Sequence, residues 1–210
     1  DRQAGLGVDH ADAVELVGLV VLGVVVAPAL LGEDVDDDRA VDGLRVAEGT
    51  FETGDPTLNI ERSNSFEATL RYRKDKFDFD GALWGARFSD YIYGRLTGNL
   101  CDDAGDCSSP PGGDLKELLY GAQDANFWGA EAKASYNILE AQAGVLQINA
   151  LADYTRAQFA SGGGNVPRIQ PYRIGGGLSW NSDAFDAGVL LIHVGKQDEV
   201  PAGDTSTPAY

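Results

Sequence analysis

Polar and apolar residues alternate along most of this chain, and between Asn64 and Gln197 the alternation predicts six β-strands. From Ser65 to Arg73, Phe66, Ala68, Leu70 and Tyr72 share one face and Ser65, Glu67, Thr69, Arg71 and Arg73 the other. From Trp128 to Asn137, Trp128, Ala130, Ala132, Ala134 and Tyr136 oppose Gly129, Glu131, Lys133, Ser135 and Asn137. From Gly144 to Thr155, Leu146, Ile148, Ala150, Ala152 and Tyr154 oppose Gln147, Asn149, Asp153 and Thr155. From Tyr172 to Asn181, Tyr172, Ile174, Leu178 and Trp180 oppose Arg173, Ser179 and Asn181. Successive side chains on a strand point to opposite faces, so each strand has one oily and one wet face. Aromatics flank the oily faces and small aliphatics fill their middles, as in a lipid-facing band between two aromatic girdles.

Two further strands carry weaker patterns. From Phe77 to Tyr93 the apolar phase passes from odd positions (Phe77, Phe79, Leu83) to even ones (Trp84, Phe88, Ile92), which predicts a bulge near Gly81 or Gly85. From Phe185 to Val194 both faces are apolar in the middle. Gly175-Gly176-Gly177 falls inside a strand and marks a bulge or a close approach.

The connections sort by length. Those at Lys74-Asp75, Ile138-Leu139 and Ser182-Asp183 are tight. Those from Gly94 to Asp124 and from Ala160 to Pro171 are long and rich in Gly, Pro, Ser and Asp. Short turns on one rim and long loops on the other belong to an outer-membrane barrel. The expected fold is therefore all-β: an antiparallel up-and-down transmembrane β-barrel fragment of about six strands. A soluble antiparallel fold with one buried face meets the periodicity equally well, but gives no reason for the sorting of loops.

Residues 1–49 differ in kind. They contain only Asp, Arg, Gln, Ala, Gly, Leu, Val, His, Glu and Pro, and every Phe, Tyr and Trp lies at Phe51 or later. Those ten types are the set encoded by codons beginning with G or C. The segment is thus expected to be a mistranslation, arising from a frame error, an inverted segment or an assembly join. The alternative is a genuine leader, because Val14 to Leu31 is apolar and Val26-Ala27-Pro28-Ala29 faintly resembles a cleavage site. Glu15 within the run and the acidic stretch before it oppose a signal peptide. Locally the segment is expected to be helix or coil, with a helix around Val14 to Ala27 ended by Pro28. The division is then 1–49 as an atypical segment and 50–210 as partial barrel.

A net charge of -17 argues against nucleic acid as a partner, since phosphate binding needs a basic surface. Cys101 and Cys107, the only cysteines, bracket Asp102-Asp103-Ala104-Gly105-Asp106, and in an oxidising compartment they suggest a local disulfide. A calcium site from the aspartates is the weaker reading of that loop, and no metal or cofactor is expected. His193 reads as a packed or interfacial residue, and no Ser-His-Asp or Cys-His arrangement suggests an enzyme. Glu67, Arg71, Glu131, Lys133, Asp153 and Arg173 are candidates to face a lumen, lining a permeation path or pairing with a plug.

The stretch from Thr50 to Glu67, with Asp55-Pro56-Thr57-Leu58 and Glu61, resembles the "G-N-P-x-L-x-x-E-x-S-x-x-x-E" passage of TonB-dependent outer-membrane receptors. Asp55 stands where that family commonly has Asn. Phe88 to Tyr93, Phe127 to Glu131, Ala152 to Ala157 and Asn165 to Gly175 resemble further family passages in the same order. The resemblance covers about residues 50–210 and implies the C-terminal part of a 22-stranded barrel. The passages around Asp153 to Gly175 resemble the zinc- and haem-type branch. The resemblance implies active uptake of a scarce ligand, such as a ferric siderophore, haem, cobalamin or a metal ion. The implied location is the outer membrane of a Gram-negative bacterium. The implied partners are outer-membrane lipid, the small ligand, and the TonB complex through a plug domain that nothing here matches. One further closing strand beyond Tyr210 is also implied. A passive porin is the second hypothesis, and a soluble β-domain tethered by the Val14 to Leu31 run is the third.

Overall fold

The structure, a computed structural model, describes residues 49–108, 112–201 and 203–210, with three short strands nearer the N-terminus. Those three are β1 (Val14–Glu15), β2 (Gly23–Val26) and β3 (Gly43–Arg45). Then follow β4 (Thr50–Thr53), β5 (Arg62–Lys74), β6 (Phe77–Cys101), β7 (Cys107–Ser108), β8 (Leu115–Ala141), β9 (Gly144–Phe159), β10 (Arg173–Asn181) and β11 (Asp186–Val194). All join one sheet, whose spine runs β1-β5-β6-β8-β9-β10-β11. Each successive pair along that spine is antiparallel. The six expected strands are all present, in up-and-down order.

The hairpin turns lie on one rim, at Asp75-Lys76, Gln142-Ala143 and Ser182 to Phe185. At the last, the Ser182 hydroxyl donates to the Phe185 carbonyl at 2.7 Å. The second turn lies beyond the expected Ile138-Leu139. The β8–β9 register shifts between Asn137 and Leu139, so Ile138 is accommodated as a bulge and the strand continues to Ala141. Gly144, with φ +145, then makes the tight re-entry into β9.

On the opposite rim the strands run further than the sequence pattern suggests. The stretch from Gly94 to Asp124 is mostly strand, because β6 and β8 pair with each other as far as Cys101 and Leu115. Their 25 and 27 residues far exceed the 9–11 or so that suffice to cross a bilayer. The projecting edge of β8 is covered by β4, which pairs with Lys116 to Leu119 in parallel.

No bulge forms at Gly81 or Gly85, where the register of β6 with both neighbours is unbroken. The shift comes between Phe88 and Tyr91, with Asp90 left-handed at φ +56. Apolar Phe77, Phe79 and Leu83 therefore belong to the oily face, while Trp84 and Phe88 stand on the polar one. The glycine run of β10 also keeps perfect register. Close approach explains it: a Cβ on Gly177 would sit 2.2 Å from the Val189 carbonyl oxygen.

The helix expected over Val14 to Ala27 is not what its described residues form. Val14–Glu15 and Gly23–Val26 are strands laid antiparallel along the outer edge of β5. Three consecutive valines favour extended backbone, and the β5 edge offers the unpaired hydrogen-bonding groups that a strand needs.

Candidate functional site: a charged wall and a loop-side mouth

The two faces of the sheet differ sharply. Registers place Phe66, Leu83, Trp128, Tyr154, Ile174 and Leu191 on one face. That face has nothing over it among the described residues: Leu83 is 61% exposed, Trp128 50% and Leu191 75%. Trp128 and Tyr136 mark its two limits on β8. Eight positions apart, they lie about 27 Å from each other along the strand, or about 20 Å in height at the usual tilt of a barrel strand, comparable with the ~25 Å apolar band of an outer-membrane barrel. Trp128 packs on Tyr154 with ring centroids 5.3 Å apart, and Tyr72 lies 6.0 Å from Phe77. Directly across from Trp128 on β9 its register partner is Arg156, where the oily face ends.

The other face carries all six candidate charges. Glu131, Asp153 and Arg173 are successive cross-strand partners in one row, and Arg71, Asp80 and Lys133 form the next. Arg173 Nε donates to both oxygens of Asp153, at 3.0 Å each. Arg73 bonds Asp80 at 2.8 Å and Asp78 at 3.1 Å, while Arg71 lies 3.5 Å from Asp80. Glu67, Arg71, Glu131 and Lys133, together with Arg73 and Asp80, line an open cavity of about 400 Å³. Asp153 and Arg173 pair further along the wall. Asp78 and Asp80 join the site without having stood among the six candidates, although their alternation with Phe77 and Phe79 marks the same face.

Above this wall the same face becomes aromatic. Phe88 and Tyr91 pack on Phe127 with centroids 4.9 and 5.1 Å away, and Tyr93 lies 4.4 Å from Phe159. The β9–β10 connection folds onto this cluster and buries Val166 to 1% exposure. Arg156 anchors the connection from below, donating to Asn165 at 3.0 Å and to Glu199 at 2.7 Å. A segment after β11 joins the same assembly. It then turns back, with Gln197 paired to Thr207 and Val194 to Tyr210.

Cys101 and Cys107 are disulfide-bonded across the β6–β7 pair. In the intervening turn the Asp102 carboxylate accepts the N–H groups of Ala104 and Asp106, each at 2.9 Å. That carboxylate is thus committed to the backbone. Glu117 lies within 4.8 Å of the two sulfurs. Its carboxylate already accepts Thr97 Oγ1 at 2.6 Å and Asn99 Nδ2 at 2.9 Å. With the sulfurs bonded to each other, no thiolate is present to ligate a metal.

His193 is exposed, its ring 6.2 Å from Tyr172. Asp55 accepts both the N–H of Thr57 at 2.9 Å and its hydroxyl at 2.6 Å, and Leu58 N–H bonds the Asp55 carbonyl. An Asn side chain has the same acceptor oxygen, so the turn tolerates the exchange.

An antiparallel up-and-down strip with an uncovered apolar belt and a charged reverse face defines a wall of a β-barrel. The TonB dependent receptor-like, beta-barrel family matches residues 30–210, and the chain belongs to that family. The match begins before Thr50, within the compositionally distinct segment. Among solved structures, the fold is similar to that of a protein named copper transporter OprC, with a TM-score of 0.61 and 16% identity. That likeness covers 74% of this chain and 22% of the other, so the chain spans about a fifth of that protein's length.

Proposed function

We propose that this chain supplies wall and mouth to an outer-membrane TonB-dependent receptor that actively takes up a scarce ligand. The carrying observation is the uncovered apolar belt, six strands wide, opposite a face of paired charges. Lipid stabilises the first and water in a lumen the second. The described residues include no helix long and apolar enough to cross a membrane, and a barrel crosses with strands instead.

In this reading the loops at the projecting ends of β6 and β8 capture the ligand outside a Gram-negative cell. A plug domain elsewhere in the receptor answers to the TonB complex and opens the path. Cys101 and Cys107 brace a surface hairpin, and Glu67, Arg71, Glu131, Lys133, Asp153 and Arg173 face the lumen or the plug. The cargo belongs to the class of ferric siderophores, haem, cobalamin and metal ions; the name of the structural neighbour adds copper to the ligands worth testing.

The test is uptake of radiolabelled candidate ligands by cells with and without TonB. Saturable uptake that stops when TonB is deleted or the proton-motive force is collapsed is the expected result. Uptake that is linear in concentration and indifferent to TonB would instead identify a passive channel.

A further inference from the structure

Five chain segments converge on a cavity of about 240 Å³ on the loop side. Thr50 comes from β4, Arg95 from β6 and Lys116 from β8; Arg168 comes from the β9–β10 connection, and Asp204 from the turn after β11. Three of these five side chains are cationic, in a chain whose net charge is -17. Neither Arg95 nor Lys116 forms an ion pair with a described residue. Arg95 and Lys116, both exposed and neither paired with a described acid, set up a positive field at the cavity that favours an entering anion.

Thr50 supplies an independent sign. It is only 6% exposed, and among the described residues its Oγ1 is the one buried side-chain polar atom with no hydrogen-bond partner. Such a group is costly to leave unsatisfied and calls for a missing partner. Its position is fixed: Thr50 pairs with Lys116, whose N–H donates to the Gly49 carbonyl at 2.9 Å. Arg168 holds a left-handed backbone at φ +62. That conformation is unfavourable for a side chain of this kind and gathers at sites where placement matters. Pro201 and Asp204 also line the cavity, and the Asp204 N–H donates to the Pro201 carbonyl at 3.2 Å, with Gly203 at φ +94.

We propose that this cavity is a subsite for an oxyanion, a carboxylate or phosphate group carried by a small ligand. Arginine offers a planar fork that matches either group, lysine a point charge, and threonine a hydroxyl donor. The volume falls below the ~300–1,000 Å³ of sites that enclose whole drug-sized ligands, so the cavity holds the anionic group and not a bulky scaffold. The proposal deepens the receptor reading by naming the chemistry that the mouth recognises. Anion capture itself stands apart from that reading; only the transport step after capture rests on it.

The test is calorimetric titration of the full receptor, purified in detergent at low salt, with citrate and separately with inorganic phosphate. Saturable binding of at least one anion is expected, weakening at least tenfold in Arg95→Gln/Lys116→Gln and severalfold in Thr50→Val. Circular dichroism confirms the β-sheet of each variant. Thr50→Val, which removes only the unsatisfied hydroxyl, stands in if the double variant does not fold. Failure of both anions to bind saturably overturns the proposal, as does unchanged affinity in the variants. TonB-dependent uptake that persists without anion binding would remove the subsite and leave the receptor. Anion binding without energised uptake would do the reverse.

Discussion

The Glu61 carboxylate accepts the N–H of Ile92 at 2.9 Å, across 31 residues of chain. Ile92 follows the bulge at Ser89-Asp90, and Asp124 similarly accepts the N–H of Asp90 at 3.2 Å. Two carboxylates thus brace the place where β6 leaves the six-strand wall and enters its long hairpin with β8. Glu61→Ala leaves a half-buried N–H without its charged acceptor, a loss of about 1–3 kcal/mol. The Ile92 amide should exchange hydrogen markedly faster in that variant, while amides in β9 and β10 keep their protection. Uniform acceleration across the sheet would show that Glu61 has no local role.

The Cys101–Cys107 disulfide closes a short turn on a pair of strands that already hydrogen-bond. Its contribution on loop-entropy grounds is about 2 kcal/mol, confined to the hairpin tip. Cys101→Ser/Cys107→Ser should therefore open that tip to limited proteolysis between Cys101 and Leu115 and leave the barrel strands resistant. Loss of the whole sheet in the double variant would assign the disulfide a global role instead.

Asp55 lies outside the long strands, and the hydrogen bond from the Thr57 hydroxyl, followed by that from the Thr57 N–H, holds its carboxyl below the usual aspartate range. A depressed carboxylate stabilises its turn fully above the unfolded value of about 3.9 and loses that effect as pH falls through the folded value. Carboxyl NMR titration should give Asp55 a midpoint below that of an unstructured aspartate, and Thr57→Ala should raise it. A midpoint unmoved by Thr57→Ala would separate the shift from these bonds.

Much of the wall was legible because a strand's period is two and lipid demands one apolar face. Phe66 to Tyr72 and Trp128 to Tyr136 announce their face directly. The upper hairpin was not, since Gly94, Gly98, Gly121 and the aspartates near Cys101 resemble a loop locally. Most of that stretch is extended because β6 and β8 complete each other's hydrogen bonds, a relation between segments that local composition does not carry. The phase change in β6 is visible in the sequence, but its position is not. Glycine suggested Gly81 or Gly85, whereas Asp90 takes the left-handed conformation with Glu61 and Asp124 beside it. Alternation assigns the polar positions of β5, β8, β9 and β10 but not Asp78 and Asp80 of β6; the Thr50, Arg95, Lys116 and Arg168 cavity is not legible at all, because distant segments build it.

Ala132 and Lys133 are neighbours on β8 assigned to opposite solvents, and they test the account most directly. The described residues contain no free cysteine, so Ala132→Cys and Lys133→Cys can each carry one spin label in the receptor reconstituted into bilayers. The label at Ala132 should relax strongly with oxygen and weakly with a water-soluble nickel complex, and the label at Lys133 should show the opposite. In the same setting Ala132→Arg should cost about 2–4 kcal/mol of barrel stability. Equal nickel access at both positions, or a label at Ala132 shielded from oxygen and nickel alike, would contradict a lipid-facing belt.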